Sequence, residues 1–280
     1  MGSLDNDDRA EPAPPREPGR PAEASAGLLA RAVEDEIIPL LVRAHSSGAQ
    51  ALPKEPDIGP DEVERLTAQL LHEDDLALHE TINRLRQRGV SVQTLFLELL
   101  TPAARRLGDF WTCDSCTFTD VTVAMGRLQQ LLRANSSAFG LNNISEGRAA
   151  ERRVLLLPCP GEQHTFGLSI VAEFFYRAGW DVTTSFMQPS ASLNQLVERQ
   201  WFDAVGLSLG DVTGMTRLND CVRQIRRASM NPQVPILVGG SVFVLNPALI
   251  DATAADAVVL QADQAPEVAS RLLERQSARA

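Results

Sequence analysis

The sequence predicts an α/β protein in two parts, a helical bundle followed by a parallel, doubly wound sheet of five strands. Two observations predict it. Apolar residues recur at steps of three and four over residues 28 to 140, and five short apolar runs alternate with helical segments over residues 152 to 280. A third observation separates the parts from their surroundings. Residues 1 to 27 are rich in Pro and charge and predict a disordered acidic tail, and the small, polar residues 141 to 151 predict a linker.

In the helical part, Leu29, Val33, Ile37, Leu40 and Ala44 form one stripe, bent by Pro39. Phe118, Val121, Met125, Leu128 and Leu132 form another, and that face is expected to be buried. Pro60-Asp61-Glu62 predicts a helix start, because Pro suits the first turn and acids suit the positive end of the macrodipole. Gly89 predicts a stop. Four or five such helices with short connections imply an antiparallel bundle.

In the second part the predicted strands are 154 to 157, 181 to 186, 204 to 209, 235 to 240 and 257 to 260. Helices are expected near 167 to 178, 191 to 200, 215 to 229, 247 to 254 and 264 to 276. Strand–helix alternation of this kind yields a parallel sheet covered on both faces, with ligands bound beyond the carboxyl ends of the strands at a topological switch point.

Charge and composition narrow the function. A net charge of -10 argues against a free-standing nucleic-acid binder, since affinity for phosphate backbones comes from clustered Lys and Arg. No run approaches the roughly 20 apolar residues that span a bilayer, and no secretory signal is recognisable, so a cytoplasmic location is expected. The four cysteines, Cys113, Cys116, Cys159 and Cys221, are too few and scattered for a disulfide framework and are expected as thiols. Cys113-x-x-Cys116 is a redox or half-zinc signature without a second pair at metal spacing. His45, His72 and His79 carry no ligand pattern; the last two lie seven apart and are expected at the surface.

Three loops at strand ends hold the chemistry: Glu162-Gln163-His164-Thr165-Phe166-Gly167, Ser208-Leu209-Gly210, and Gly239-Gly240-Ser241. Each taken alone, His164 reads better as a cap for the following helix, and Gly239-Gly240 as a tight turn. Together the three loops resemble the cobalamin-binding domain family, marked by Asp-x-His-x-x-Gly, Ser-x-Leu and Gly-Gly after successive strands. The resemblance implies a Rossmann-like, flavodoxin-like sheet in which His164 is the lower axial ligand to cobalt. It implies that Ser208, Gly239 and Gly240 line a cleft for the displaced nucleotide tail, that Glu162 holds the second imidazole nitrogen, and that Gly167 completes the motif. The sequence departs from the pattern twice: Glu162 stands for Asp, and Gly210 stands for the Leu of Ser-x-Leu.

The helical part adds a second resemblance. Gly108-Asp109-Phe110-Trp111 and Phe118-Thr119-Asp120 are similar to the cap of cobalamin-dependent light regulators, which implies that Trp111 lies over the upper face of the cofactor. The alternative is that Trp111 anchors the bundle core; either role would bury it. In the DNA-binding members Glu-His follows the tryptophan by ten and eleven residues, where this sequence has Val121 and Thr122. Without their basic winged-helix domain, the sequence most resembles the AerR/PpaA group of purple photosynthetic bacteria. That resemblance implies an antirepressor, not an enzyme, that binds adenosyl- or hydroxocobalamin and acts on a PpsR/CrtJ-type repressor. A corrinoid carrier for methyl transfer, and a haem or redox sensor using His164 and the Cys113/Cys116 pair, are the other readings.

Overall fold

Several helices of the first part are bounded by recognisable start and stop chemistry. The computed structural model describes residues 55–72, 75–136, 152–185 and 190–278, which belong to the compact unit Glu55–Ala280. The expected tail, the stripe from Leu29 to Ala44 with Pro39, His45 and the linker 141–151 lie outside the described residues. Helix α1, Pro60–His72, starts where the sequence predicts, and Glu62 reaches back to accept from the Gly59 N–H at 3.2 Å. Helix α2, Asp75–Gln87, ends at Gly89, whose φ of 94° lets the Val90 N–H return to the Leu85 carbonyl.

The next helix is continuous but changes pitch. A short α3, Val92–Thr94, leads into a π-helical stretch, Leu95–Leu100, and then α4, Thr101–Thr112. Pro102 accounts for the change: its ring has no N–H to offer the carbonyl four residues back, and the Thr101 N–H bonds Phe96 O in the wider pattern. Helix α5, Phe118–Asn135, begins at a reciprocal capping box between Thr117 and Asp120. Leu66, Leu70, Leu78, Ile82, Phe96, Leu99, Leu107, Leu128 and Leu132 close a common core.

The second part forms a parallel sheet in the order β2-β1-β3-β4-β5. Its strands are β1 Arg153–Pro158, β2 Asp181–Thr184, β3 Ala204–Ser208, β4 Ile236–Gly239 and β5 Ala257–Val259. The helices are α6 Phe166–Arg177, α7 Ser190–Arg199, α8 Met215–Ala228, α9 Ser241–Leu245 and α10 Ala265–Ser277. One connection differs from expectation. Instead of a helix near 247 to 254, α9 stops at Leu245, because Pro247 excludes helical geometry from Asn246, which sits at φ -133°, ψ 76°.

Strand alternation sends Leu155, Leu157, Val205, Leu207, Ile236 and Val238 to one face, where α8 covers them. Val154, Leu156, Ala204 and Leu237 face α6 and α10. Helix α6 serves two cores. Leu168, Ala172 and Phe175 face the sheet, while Phe166, Ile170 and Phe174 complete the core of the bundle. The bundle therefore rests on the helix that follows the His164 loop. Polar contacts reinforce this seam: Ser136 donates to the fully buried Glu173, which also accepts from Arg177 Nε at 2.6 Å.

Candidate functional site

Strand order places β1 between β2 and β3, so the chain leaves β1 towards one edge and β3 towards the other; this is the switch point. The loop after β1 and the loop after β3 face each other across it. Glu162 joins them. Its Oε2 accepts from the Gly210 N–H at 2.5 Å, while Oε1 accepts from the His164 N–H at 2.7 Å and lies 2.6 Å from His164 Nδ1.

The carboxylate is buried, with 4% of its side chain exposed, whereas 84% of the His164 side chain is open. Burial raises the Glu162 pKa, but the two backbone N–H groups and the imidazole outweigh it, leaving the carboxyl below its ordinary value. An ionised carboxylate only accepts, so Nδ1 carries a proton, and in the neutral imidazole the lone pair resides on Nε2. Nε2 has no hydrogen-bond partner among the described residues. The capping alternative for His164 does not hold, since α6 is preceded by Thr165 and no side chain caps it.

The register row at the strand ends runs Pro158, Ser208, Gly239, Val259. Gly206, Ser208 and Gly239 alternate onto the face that carries Leu156 and Leu237, so that face is stripped of bulk at its carboxyl end. Ser208 Oγ is buried there without a partner among the described residues, an expensive arrangement for a hydroxyl unless something else satisfies it. Gly240, at φ 125°, is held against the β3 loop: a Cβ there would come 2.0 Å from Leu209 O. Gly167 is the opposite case. A Cβ on it would meet nothing within 4 Å, so the fold itself does not demand glycine.

Among the described residues no cluster of three or more His, Cys, Asp or Glu could hold a metal ion. All four cysteines are free, and burial pushes Cys159 up to about 11 and Cys221 to about 12. A lone imidazole with its second nitrogen fixed by a carboxylate suits a metal that brings its other ligands with it. The buried, unpartnered Ser208 hydroxyl supplies a donor for an appended group at the same strand ends. These residues fit a cobalamin.

Trp111 is not an anchor buried in the bundle core. It is 48% exposed near the end of α4 and meets Phe118 edge-to-face at 5.9 Å; Phe118 itself is 69% exposed, against the expected buried stripe. The first turn of α5 extends past the helices that cover its later residues, so only Ala124, Leu128, Leu131 and Leu132 are buried. His72 is exposed and His79 half-buried on separate helices. Sequence reasoning missed Gly210 as a donor. It also missed Asp211 and Arg217, which border a concavity of about 220 Å³ beside His164.

Known proteins resemble the chain in sequence and in fold. A model of the B12 binding domain matches residues 152–269. A Rhodobacter capsulatus protein described as an uncharacterized 20.5 kDa protein in the bchF-crtJ intergenic region is 30% identical over 178 residues, covering 63% of this chain and 90% of that protein. The fold is similar to the monomethylamine corrinoid protein of Methanosarcina barkeri, with a TM-score of 0.58 and 14% identity over 76% of this chain and 98% of that one. The chain carries a domain of the B12-binding family over residues 152–269 and belongs to one family with its Rhodobacter capsulatus relative.

Proposed function

We propose that the chain is a cobalamin-binding, light-responsive transcriptional regulator, an antirepressor of the AerR/PpaA type, with His164 as the lower axial ligand to cobalt. The carrying observation is the Glu162–His164–Gly210 arrangement at the switch point, which presents one imidazole nitrogen outward and holds the other. The relative's position between bchF and crtJ supports a PpsR/CrtJ-type repressor of photosynthesis genes as partner. A net charge of -10 supports action through that protein in the cytoplasm instead of on DNA directly. The reading assigns no catalytic residue.

Adenosylcobalamin, if bound, would supply a light-sensitive cobalt–carbon bond. The rest is the work of the chain. Ser208, Gly239 and Gly240 would receive the nucleotide tail, and Trp111 with Phe118 would cover the side of the cofactor that faces the bundle. Helix α6 begins beside the ligand loop and completes the core of the bundle, so a change at either axial position bears on the packing between the parts. A signal requires that the two states differ in contacts with the cap or the ligand loop.

The test is the absorbance spectrum of the full chain with hydroxo- or adenosylcobalamin, in darkness and after illumination, beside His164→Ala. A ligation-dependent spectral shift that His164→Ala abolishes is expected; an unchanged shift in the variant overturns the axial assignment. The fold likeness to a corrinoid protein favours one second reading, a methyl carrier. Turnover of methylcobalamin with a methyl donor and acceptor would establish it. A Soret band in protein purified without added cobalamin would instead point to haem.

A further inference from the structure

Beside His164, on the α8 side, lies the concavity of about 220 Å³ bordered by Gly161, Glu162, Asp211, Thr213 and Arg217. Two opposite charges flank it without closing an ion pair. The Arg217 guanidinium is anchored by its Nε, which donates to Pro160 O at 3.0 Å. Its flank packs on two glycines: a Cβ on Gly161, at φ 85°, would come 3.6 Å from Nε, and one on Gly214 would come 3.7 Å from Nη2. The terminal nitrogens of Arg217 have no hydrogen-bond partner among the described residues. Asp211 is held as the cap of the turn Val212–Gly214, with Oδ1 accepting from the Thr213 N–H at 2.7 Å.

Resting on the cobalamin reading, we propose that this concavity takes a primary carboxamide, one of the propionamide arms on the lower face of the corrin. The amide carbonyl accepts from the free guanidinium edge, and the amide NH₂ donates to the Asp211 carboxylate. A neutral amide needs one donor and one acceptor, and the concavity offers both. A carboxylate in its place would face Asp211 and Glu162 against the single cation Arg217, and an ammonium would face Arg217. The arrangement therefore selects amidated corrins over their acids by repulsion as well as by attraction.

The test compares binding of hydroxocobalamin with binding of its monocarboxylic acids, in which one propionamide is hydrolysed, to the full chain by equilibrium dialysis. Wild type is expected to prefer the amide form over at least one of the acids by about tenfold, the scale of one hydrogen bond to a charged group. Asp211→Asn should collapse that preference, and Arg217→Gln should weaken amide binding about tenfold while leaving the spectrum at saturation unchanged. Equal affinities for amide and all acid forms, or a preference that survives Asp211→Asn, would overturn this inference while cobalamin binding stands. Failure of wild type to bind hydroxocobalamin would overturn the cobalamin reading and this inference with it.

Discussion

The loop cluster below the proposed cobalt and the aromatic pole near Trp111 are built in opposite ways. Around His164 nearly every neighbouring group is committed: Glu162 spends both oxygens, Gly240 sits against Leu209, and the β3 and β4 loops are tied through Leu209 N to Gly239 O at 2.9 Å. Around Trp111 two aromatic rings touch each other while Trp111 leaves about half and Phe118 about two thirds of its surface to solvent. A preformed lower site costs little to reorganise on binding, whereas an uncovered aromatic pole gains its burial only when something arrives. On the proposed function, the difference would assign affinity to one region and state-dependence to the other.

Glycine substitutions give the largest expected effect on this contrast. Gly240→Ala would place a methyl on the Leu209 carbonyl at positive φ and is expected to cost about 3 kcal/mol, seen as a Tm lower by roughly 8 °C. Gly167→Ala, within α6 and with open space around its Cβ, is expected to raise the stability of the free protein by about 0.5 kcal/mol. It should nonetheless weaken cobalamin binding. Thermal melts with and without hydroxocobalamin separate the two, and a neutral Gly240→Ala would contradict the tightly built lower loops.

Glu162→Gln is the intermediate case. The amide retains a carbonyl for one N–H but turns its NH₂ towards another, so a loss of about 1–2 kcal/mol at neutral pH is expected. Because the folded-state pKa of Glu162 lies below its ordinary 4.5, the stabilisation is fully present above that value and is lost as pH falls through the lowered folded value. Urea midpoints of the two proteins should therefore converge in acid. A gap that stays constant down to the acid limit would mean that the carboxylate charge contributes nothing.

How much of this was legible beforehand depends on whether a feature is local. The strands showed in the sequence because buried parallel strands are uninterrupted apolar runs, and VLLL or ILVG can hardly be anything else once helical segments separate them. The connection after β4 misled because 247 to 254 is helix-like in composition, while the Asn246-Pro247 step that breaks it acts through one dihedral. Phe118 misled because periodicity reports a face and not whether a neighbour reaches that far along it. The two departures from the family motif were legible singly but not as a pair. A Cβ on Gly210 would lie 3.0 Å from Glu162 Oε2 and 3.3 Å from His164 Nδ1, so the longer carboxylate and the missing leucine are one change seen from two strands.

Trp111→Ala carries the smallest effect on the free protein and the most direct bearing on the contrast. Trp111 contributes no buried surface to the bundle core comparable to Leu107, one turn earlier and fully buried, so its loss is expected to change stability by no more than about 0.5 kcal/mol. If the pole covers the upper axial group, the variant should bind hydroxocobalamin with a His164-dependent spectrum like that of wild type. With adenosylcobalamin it should differ, losing affinity and showing a smaller change in hydrodynamic radius or proteolysis pattern between dark and illuminated samples. A destabilised Trp111→Ala would return the residue to the bundle core. An unaltered dark–light difference would detach the aromatic pole from the cofactor altogether, leaving α6, shared between the two cores, as the route by which the lower site alone reaches the bundle.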